Sequence, residues 1–200
     1  MLTFDWPDAL RPASVEWQLI VPQLQGRSVF DGSSYAETMG APRWAFSVTT
    51  GPRKLSEVPA WEAFFDRLRG GVNRVRAWDW RREAPLGVAT GAPVVRVAGS
   101  GASLQLEGWT AGVTGILLAG SWFRVNGELK RLSVSMNSDG FGRSTAQFEP
   151  PLRAVAPAGA PLLLVKPTAT FVMTSEPPKW RQDGARVGGV QMSFEEDLRP

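Results

Sequence analysis

The 200-residue chain has no cysteine and no histidine. Without cysteine there can be neither a disulfide framework nor a thiolate metal site. Without histidine the commonest metal ligand and the commonest general base at neutral pH are both missing. An enzyme could still work through carboxylates or lysine, but no pair of carboxylates sits in a context that argues for acid–base work. No apolar run approaches the ~20 residues that a membrane helix needs. The opening MLTFDWPDALRP carries acids and prolines and does not read as a secretory signal. The expectation is a protein made and kept in a cytoplasm, or assembled there into something larger.

What is present is ordinary in bulk and informative in its spacing. Hydrophobic residues make up 43% and charged residues 20%, which excludes wholesale disorder. This length can bury a sizeable core, as one domain or as two small ones. The 21 glycines and 16 prolines are spread along the chain, a punctuation that marks many short strands joined by turns.

Residues 1–12 read as an extended arm held by Phe4 and Trp6. Residues 14–21 alternate, with Val15, Trp17, Leu19 and Val21 opposite Glu16 and Gln18, as in a half-buried strand. A second strand is expected from 28–30, turning at Asp31-Gly32, and a third at 42–48, with Trp44, Phe46 and Val48 on one side. Trp61, Phe64, Phe65 and Leu68 fall at i, i+3, i+4 and i+7 and predict one helix over 58–69. Ser56 is positioned to cap it, Pro59 suits its first turn, and Gly70-Gly71 ends it. The aromatics of this stripe read as core.

From residue 86 the chain turns rich in Gly, Val, Ala and Leu. Strands are expected at 94–97, 103–106, 115–118, 122–125, 129–135, 144–148 and 161–165, with a hairpin at Asn126-Gly127 and a tight turn at 139–142. Such a run suits a small closed barrel. Strands at 169–174 and 191–195 then return to the first domain. The predicted fold is mainly β: a β-sandwich or split-barrel core with one α-helix, from 1–85 together with 166–200, and an inserted small β-barrel at 86–165.

Net charge is +3 but unevenly placed. Between 67 and 82 there are six arginines (67, 69, 74, 76, 81, 82) against one acid, Asp79. Read as a strand, residues 72–80 put Val72, Arg74, Arg76, Trp78 and Trp80 on one face and Asn73, Val75, Ala77 and Asp79 on the other. Arginine stacked on tryptophan is favourable by roughly 0.5–2 kcal/mol. Arg74, Arg76, Trp78 and Trp80 are therefore the candidate subunit contacts. A basic patch can also bind nucleic acid, but arginine is enriched at protein interfaces too, and lysine is scarce. The nine tryptophans leave a carbohydrate-binding or hydrolytic reading open.

Other motifs carry little. GSGASL at 99–104 lacks the third glycine and the following helix of a dinucleotide fingerprint and reads as a glycine-rich turn. Lys130-Arg131 reads as a solvated basic pair. Glu195, Glu196 and Asp197 are adjacent on a strand, so their side chains alternate and do not converge on a cation. No catalytic residue, cofactor or metal is expected.

The segments RWAFSV (43–48), WEAFFDRLRG (61–70), GVNRVRAWD (71–79), APLG (84–87), GSGASL (99–104), GW (108–109), LAGSWFRVNG (118–127), PPLR (150–153) and SFEE (193–196) run in order through nearly the whole chain. Together they resemble tail proteins of long-tailed bacteriophages and prophages, of the distal-tail or baseplate-hub type. Where related sequences tend to carry a fuller glycine–glutamine turn, this chain has Gly99-Ser-Gly101. The resemblance implies a non-enzymatic virion component at the tail tip, assembled in the host bacterium. It implies a ring, usually a hexamer of identical copies, that links the tail tube to the baseplate hub and receptor-binding apparatus. It implies neither a membrane nor a specific nucleic-acid partner.

Overall fold

The structure, a computed structural model, describes residues 1–199. Pro200, the last residue of the segment expected to complete the first core, lies outside the described residues. The chain is mainly β with one α-helix, as its spacing predicts. The strands are β1 (Thr3–Asp5), β2 (Ser14–Ile20), β3 (Gln23–Arg27), β4 (Ser34–Thr38), β5 (Arg43–Thr49), β6 (Arg53–Lys54), β7 (Arg74–Ala77), β8 (Gly91–Val95), β9 (Gly99–Trp109), β10 (Trp122–Val125), β11 (Glu128–Leu132), β12 (Ser144–Ala156), β13 (Ala169–Met173), β14 (Gln182–Asp183), β15 (Arg186–Val187) and β16 (Gln191–Glu196). Helix α1 spans Val58–Leu68.

The first core is a six-stranded sheet in the order β1-β7-β13-β16-β5-β2, covered by α1. Period-two alternation aims Trp44, Phe46 and Val48 of β5 and Met192 and Phe194 of β16 to one side, where they are buried. Register then sets Trp17, Phe46 and Phe194 side by side across three strands, with Phe46 stacked on Phe194 at 4.8 Å and on Trp17 at 4.9 Å. Each such pair adds about 0.5–1.5 kcal/mol beyond simple burial.

The N-terminal arm is held by Phe4 and Trp6, as expected. β1 pairs parallel with β7, and Trp6 enters the core, edge-on to Phe46, Trp61, Phe64, Phe65, Trp80 and Phe194. Its indole N–H donates to the Leu10 carbonyl at 2.7 Å.

The apolar stripe of α1 is buried as its spacing requires. Its ends differ from expectation. The N-cap position is Glu57, with no side-chain cap, so Ser56 does not serve. The left-handed turn begins at Arg69 (φ 49°) and continues through Gly70 and Gly71. Gly71 is required there: a Cβ would lie 2.5 Å from the Met173 carbonyl oxygen.

The second core is a five-stranded sheet, β10-β11-β12-β9-β8. The segment at 161–163 bridges both of its edges, through Val94↔Pro161 and Arg124↔Leu163, and so closes the sheet into a small barrel. Leu104, Leu106, Phe123, Phe148 and Leu132 fill it. Asn126 and Gly127 both take positive φ (49° and 81°), as a two-residue hairpin of that sequence demands. The segments at 115–118 and 161–165 form isolated bridges rather than strands, because each meets its neighbour over a single residue pair. GSGASL is not a turn; it begins the long strand β9, with register shifts opposite β12.

Residues 28–30 are not a strand either. They belong to the tip of a separate β3–β4 hairpin that pairs only with itself.

Candidate interaction surfaces and the seam between the cores

Arg74, Arg76, Trp78 and Trp80 do not share one exposed face. β7 ends at Ala77, and the alternation ends with it. Asp79 makes the turn: its carboxylate accepts the Arg81 main-chain N–H at 3.1 Å, and its carbonyl accepts the Arg82 N–H at 2.8 Å. The reversal carries Trp78 and Trp80 toward the first core, where Trp78 is buried and Trp80 packs against Trp6 at 4.8 Å. Arg74 keeps the outer face of β7 but is covered, ion-paired with Asp197 and bonded to main-chain carbonyls of the preceding turn. Arg76 alone of the four is exposed, in a two-pronged pair with Asp5 at 2.6 and 2.9 Å.

The other arginines of the 67–82 run disperse as well. Arg67 lies over the Phe4 ring at 4.0 Å, Arg81 grips Asp79, and Arg82 donates to the Gly120 carbonyl. They do not line up as one phosphate-facing stripe. Of the acidic trio, Glu195 pairs with Arg43, Glu196 with Arg153, and Asp197 with Arg74 and Arg199. Among the described residues no group of three or more carboxylates gathers as a metal site.

No family model matches this chain. A search of characterised proteins finds no relative for it either. What the molecule does has to be argued from its own surfaces.

The most concentrated polar chemistry lies between the two cores. Trp122 of β10 and Leu129 of β11 point out of the barrel and complete the first core. Beside the Arg82–Gly120 bond, three more hydrogen bonds tie the seam across long chain separations. The Trp44 indole donates to the Leu129 carbonyl at 3.0 Å, the Trp122 indole to Asp79 at 3.0 Å, and Arg153 to Glu196 at 2.9 Å. Arg131 is not solvated as a loose basic residue; its guanidinium lies 4.9 Å from the Trp44 ring and 5.4 Å from Trp122.

Lys130 is also not solvated. Its side chain is fully buried, donating to Glu128 at 2.8 Å and to the Pro151 carbonyl at 3.0 Å. Glu128 accepts in addition from the main-chain N–H groups of Arg153 and Ala154. Burial alone would raise the Glu128 carboxyl, but the Lys130 ammonium and the Arg153 main-chain donor outweigh it and hold it below the usual range. Burial pushes the Lys130 ammonium down against the pull of Glu128. Lys130 and Glu128 lie opposite Phe123 and Val125, on the barrel side of β11, and they reach the seam only through Arg153, which also holds Glu196. Alternation in ELKRL hid this, because the position of Lys130 says which face it takes but not that the face is covered.

The β3–β4 hairpin is the opposite kind of surface. Both strands are exposed almost throughout. Leu24, Tyr35 and Met39 are half exposed or more, and Val29 and Phe30 at the tip are 91% and 98% exposed. Yet the tip is tightly built. The Ser28 N–H donates to Ser33, the Gly32 N–H to Ser28, and the Arg27 guanidinium to the Gly32 carbonyl. Hydrogen bonding with Ser28 and Ser33 lowers the Asp31 carboxyl to about 2. Lower down, Tyr35 lies across Gly26 so closely that a Cβ would stand 2.3 Å from its ring. The short apolar pair in SVFDGSS was the signal available, and it reads equally well as the start of a buried strand.

Proposed function

We propose that the chain is a non-enzymatic building block of a homo-oligomeric ring at the distal end of a long phage tail, joining the tail tube to the baseplate hub and receptor-binding apparatus. The observation that carries this reading is a contrast on one molecule. The body holds its covered charges in pairs, Glu195 with Arg43, Asp197 with Arg74 and Glu196 with Arg153, and its two cores are tied at the seam. Outside that body stands a separate hairpin, hydrogen-bonded at its tip, which shows two large apolar side chains to solvent. A two-stranded hairpin is marginal alone and gains its stability from packing, so an exposed one of this composition suits an assembling subunit. The ordered tail-protein resemblance from 43 to 196 supplies the kind of assembly.

The test is direct. The purified protein, sized by light scattering across a concentration series and imaged by electron microscopy, is expected to form closed rings. Immunogold labelling of virions is expected to mark the tail tip. A monomer at every concentration, or label on the head, refutes the reading.

A further inference from the structure

The hairpin tip has a chemical match elsewhere on the same chain. Pro85, Ala89, Pro93, Leu163 and Val165 line a groove of about 360 Å³ between β8 and the segment at 161–165 of the barrel, and no charged residue lines it. Leu163 and Val165 are 44% and 61% exposed. We propose that Val29 and Phe30 of one copy seat in this groove on the next copy, an inference that rests on the ring reading and names its contact.

Four observations support a second copy as the occupant. The groove is not filled by the chain's own hairpin, because Val29 and Phe30 are almost fully exposed. The knob and the groove are different surfaces of one chain, one on the first core's hairpin and one on the barrel, so their union is head-to-tail, the geometry that builds rings. The hairpin carries Arg27 against Asp31 and Glu37, a net charge of 1 − 2 = −1, which opposes docking on an anionic membrane or nucleic acid. The tip is also pre-formed by its own hydrogen bonds, so little ordering is needed on contact. The exposed Phe141 at the barrel's other turn differs, since the Arg143 guanidinium stands 5.3 Å from its ring.

The absence of cysteine makes the test clean. Phe30→Cys and Leu163→Cys are prepared as separate variants, mixed, and treated with a short bis-maleimide. The mixture is expected to yield a cross-linked pair that neither variant gives alone, and the double variant a ladder ending at the ring order. In parallel, Phe30→Glu is expected to abolish assembly while leaving thermal unfolding unchanged, because the hairpin lies outside both cores. Rings without the mixed cross-link overturn the contact and leave the ring reading standing. So does Phe30→Cys cross-linking to itself, or Phe30 cross-linking only to another tail protein. The mixed cross-link in open chains without rings upholds the contact and overturns the ring. A monomer with no cross-link overturns both.

Discussion

Replacing Glu196 with Ala tests whether the two cores are held by their seam. The Glu196 side chain is 2% exposed, and each of its oxygens has one partner. One accepts the Trp44 main-chain N–H at 3.0 Å and the other the Arg153 guanidinium at 2.9 Å. Truncation strands a buried N–H, at about 1–3 kcal/mol. It also removes a charge-assisted bond from Arg153, which is 24% exposed and retains Glu128 at 3.6 Å, so this part falls at the low end of about 1.5–3 kcal/mol. The sum is about 3 kcal/mol, in line with breaking other buried pairs and a large share of a typical domain's stability of about 5–15 kcal/mol. Glu196→Gln keeps an acceptor for Trp44 and is expected to lose about half as much.

Urea titration is the assay, and the tryptophans make it selective. Eight of the nine belong to the first core or pack against it, and Trp109 alone belongs to the barrel. In a Trp109→Phe background, fluorescence follows the first core while far-ultraviolet circular dichroism follows both. Wild type is expected to unfold with the two signals coincident, and Glu196→Ala with the signals separated and the first core lost earlier. A loss under about 1 kcal/mol with coincident signals refutes the argument.

At Glu128, the lowered carboxyl contributes its full stability above the unfolded value of about 4.3 and loses it as pH falls through the lower folded value. Acid titration of wild type should therefore show a steeper loss as pH falls below about 5 than Glu128→Gln; parallel curves would count against it. Lys130→Met should cost less than Glu128→Gln in urea titration. Glu128 would keep Arg153 and two main-chain donors, whereas Lys130 would keep only the Pro151 carbonyl. Trp78→Ala should destabilise the fold by about 3–5 kcal/mol, while exposed Arg76→Ala should change urea stability by less than about 1 kcal/mol; the reverse order would place these residues wrongly. Gly142→Ala should lower the barrel's thermal midpoint through about 1–3 kcal/mol of strain, because φ is 70° and a Cβ would meet the Trp109 carbonyl oxygen at 2.3 Å. An unchanged midpoint refutes that.

Local rules carried far in this sequence where one neighbour sufficed. The stripe Trp61, Phe64, Phe65, Leu68 gave the helix face, and Asn126-Gly127 gave its hairpin, since both depend on residues a few positions apart. Alternation in β5 likewise places Trp44, Phe46 and Val48 inward. It failed at 72–80 because Asp79 turns the chain, and the partner that holds Asp79 in place, the Trp122 indole, is 43 residues away. Lys130 shows the same limit: Glu128 on its own strand supplies the counter-charge, but the cover that buries it includes Pro151 of β12, 21 residues away. Val29 and Phe30 show the opposite case, for nothing local marks an apolar pair as left outside the fold. What the sequence hid in each case was the long-range partner, or the lack of one.

The chain thus buries Lys130 and Glu128 on the barrel side of β11 and Glu196 at its seam, exposes a valine and a phenylalanine at its tip, and links the seam to the tip. Apolar packing of Trp122 and Leu129 against the first core is non-directional and would tolerate rotation of the barrel. Directional bonds from Trp44, Trp122 and Arg153 remove that freedom. On the proposed contact, the knob belongs to the first core and the groove to the barrel, so the seam angle sets the rotation from one copy to the next. A fixed rotation closes a ring of one size, and a loose one gives mixed sizes or open chains. Glu196→Ala should therefore broaden the distribution of ring sizes in micrographs even where every copy remains folded and every tip remains seated. Uniform rings from that variant would separate the seam from the assembly and leave its buried charges to stability alone.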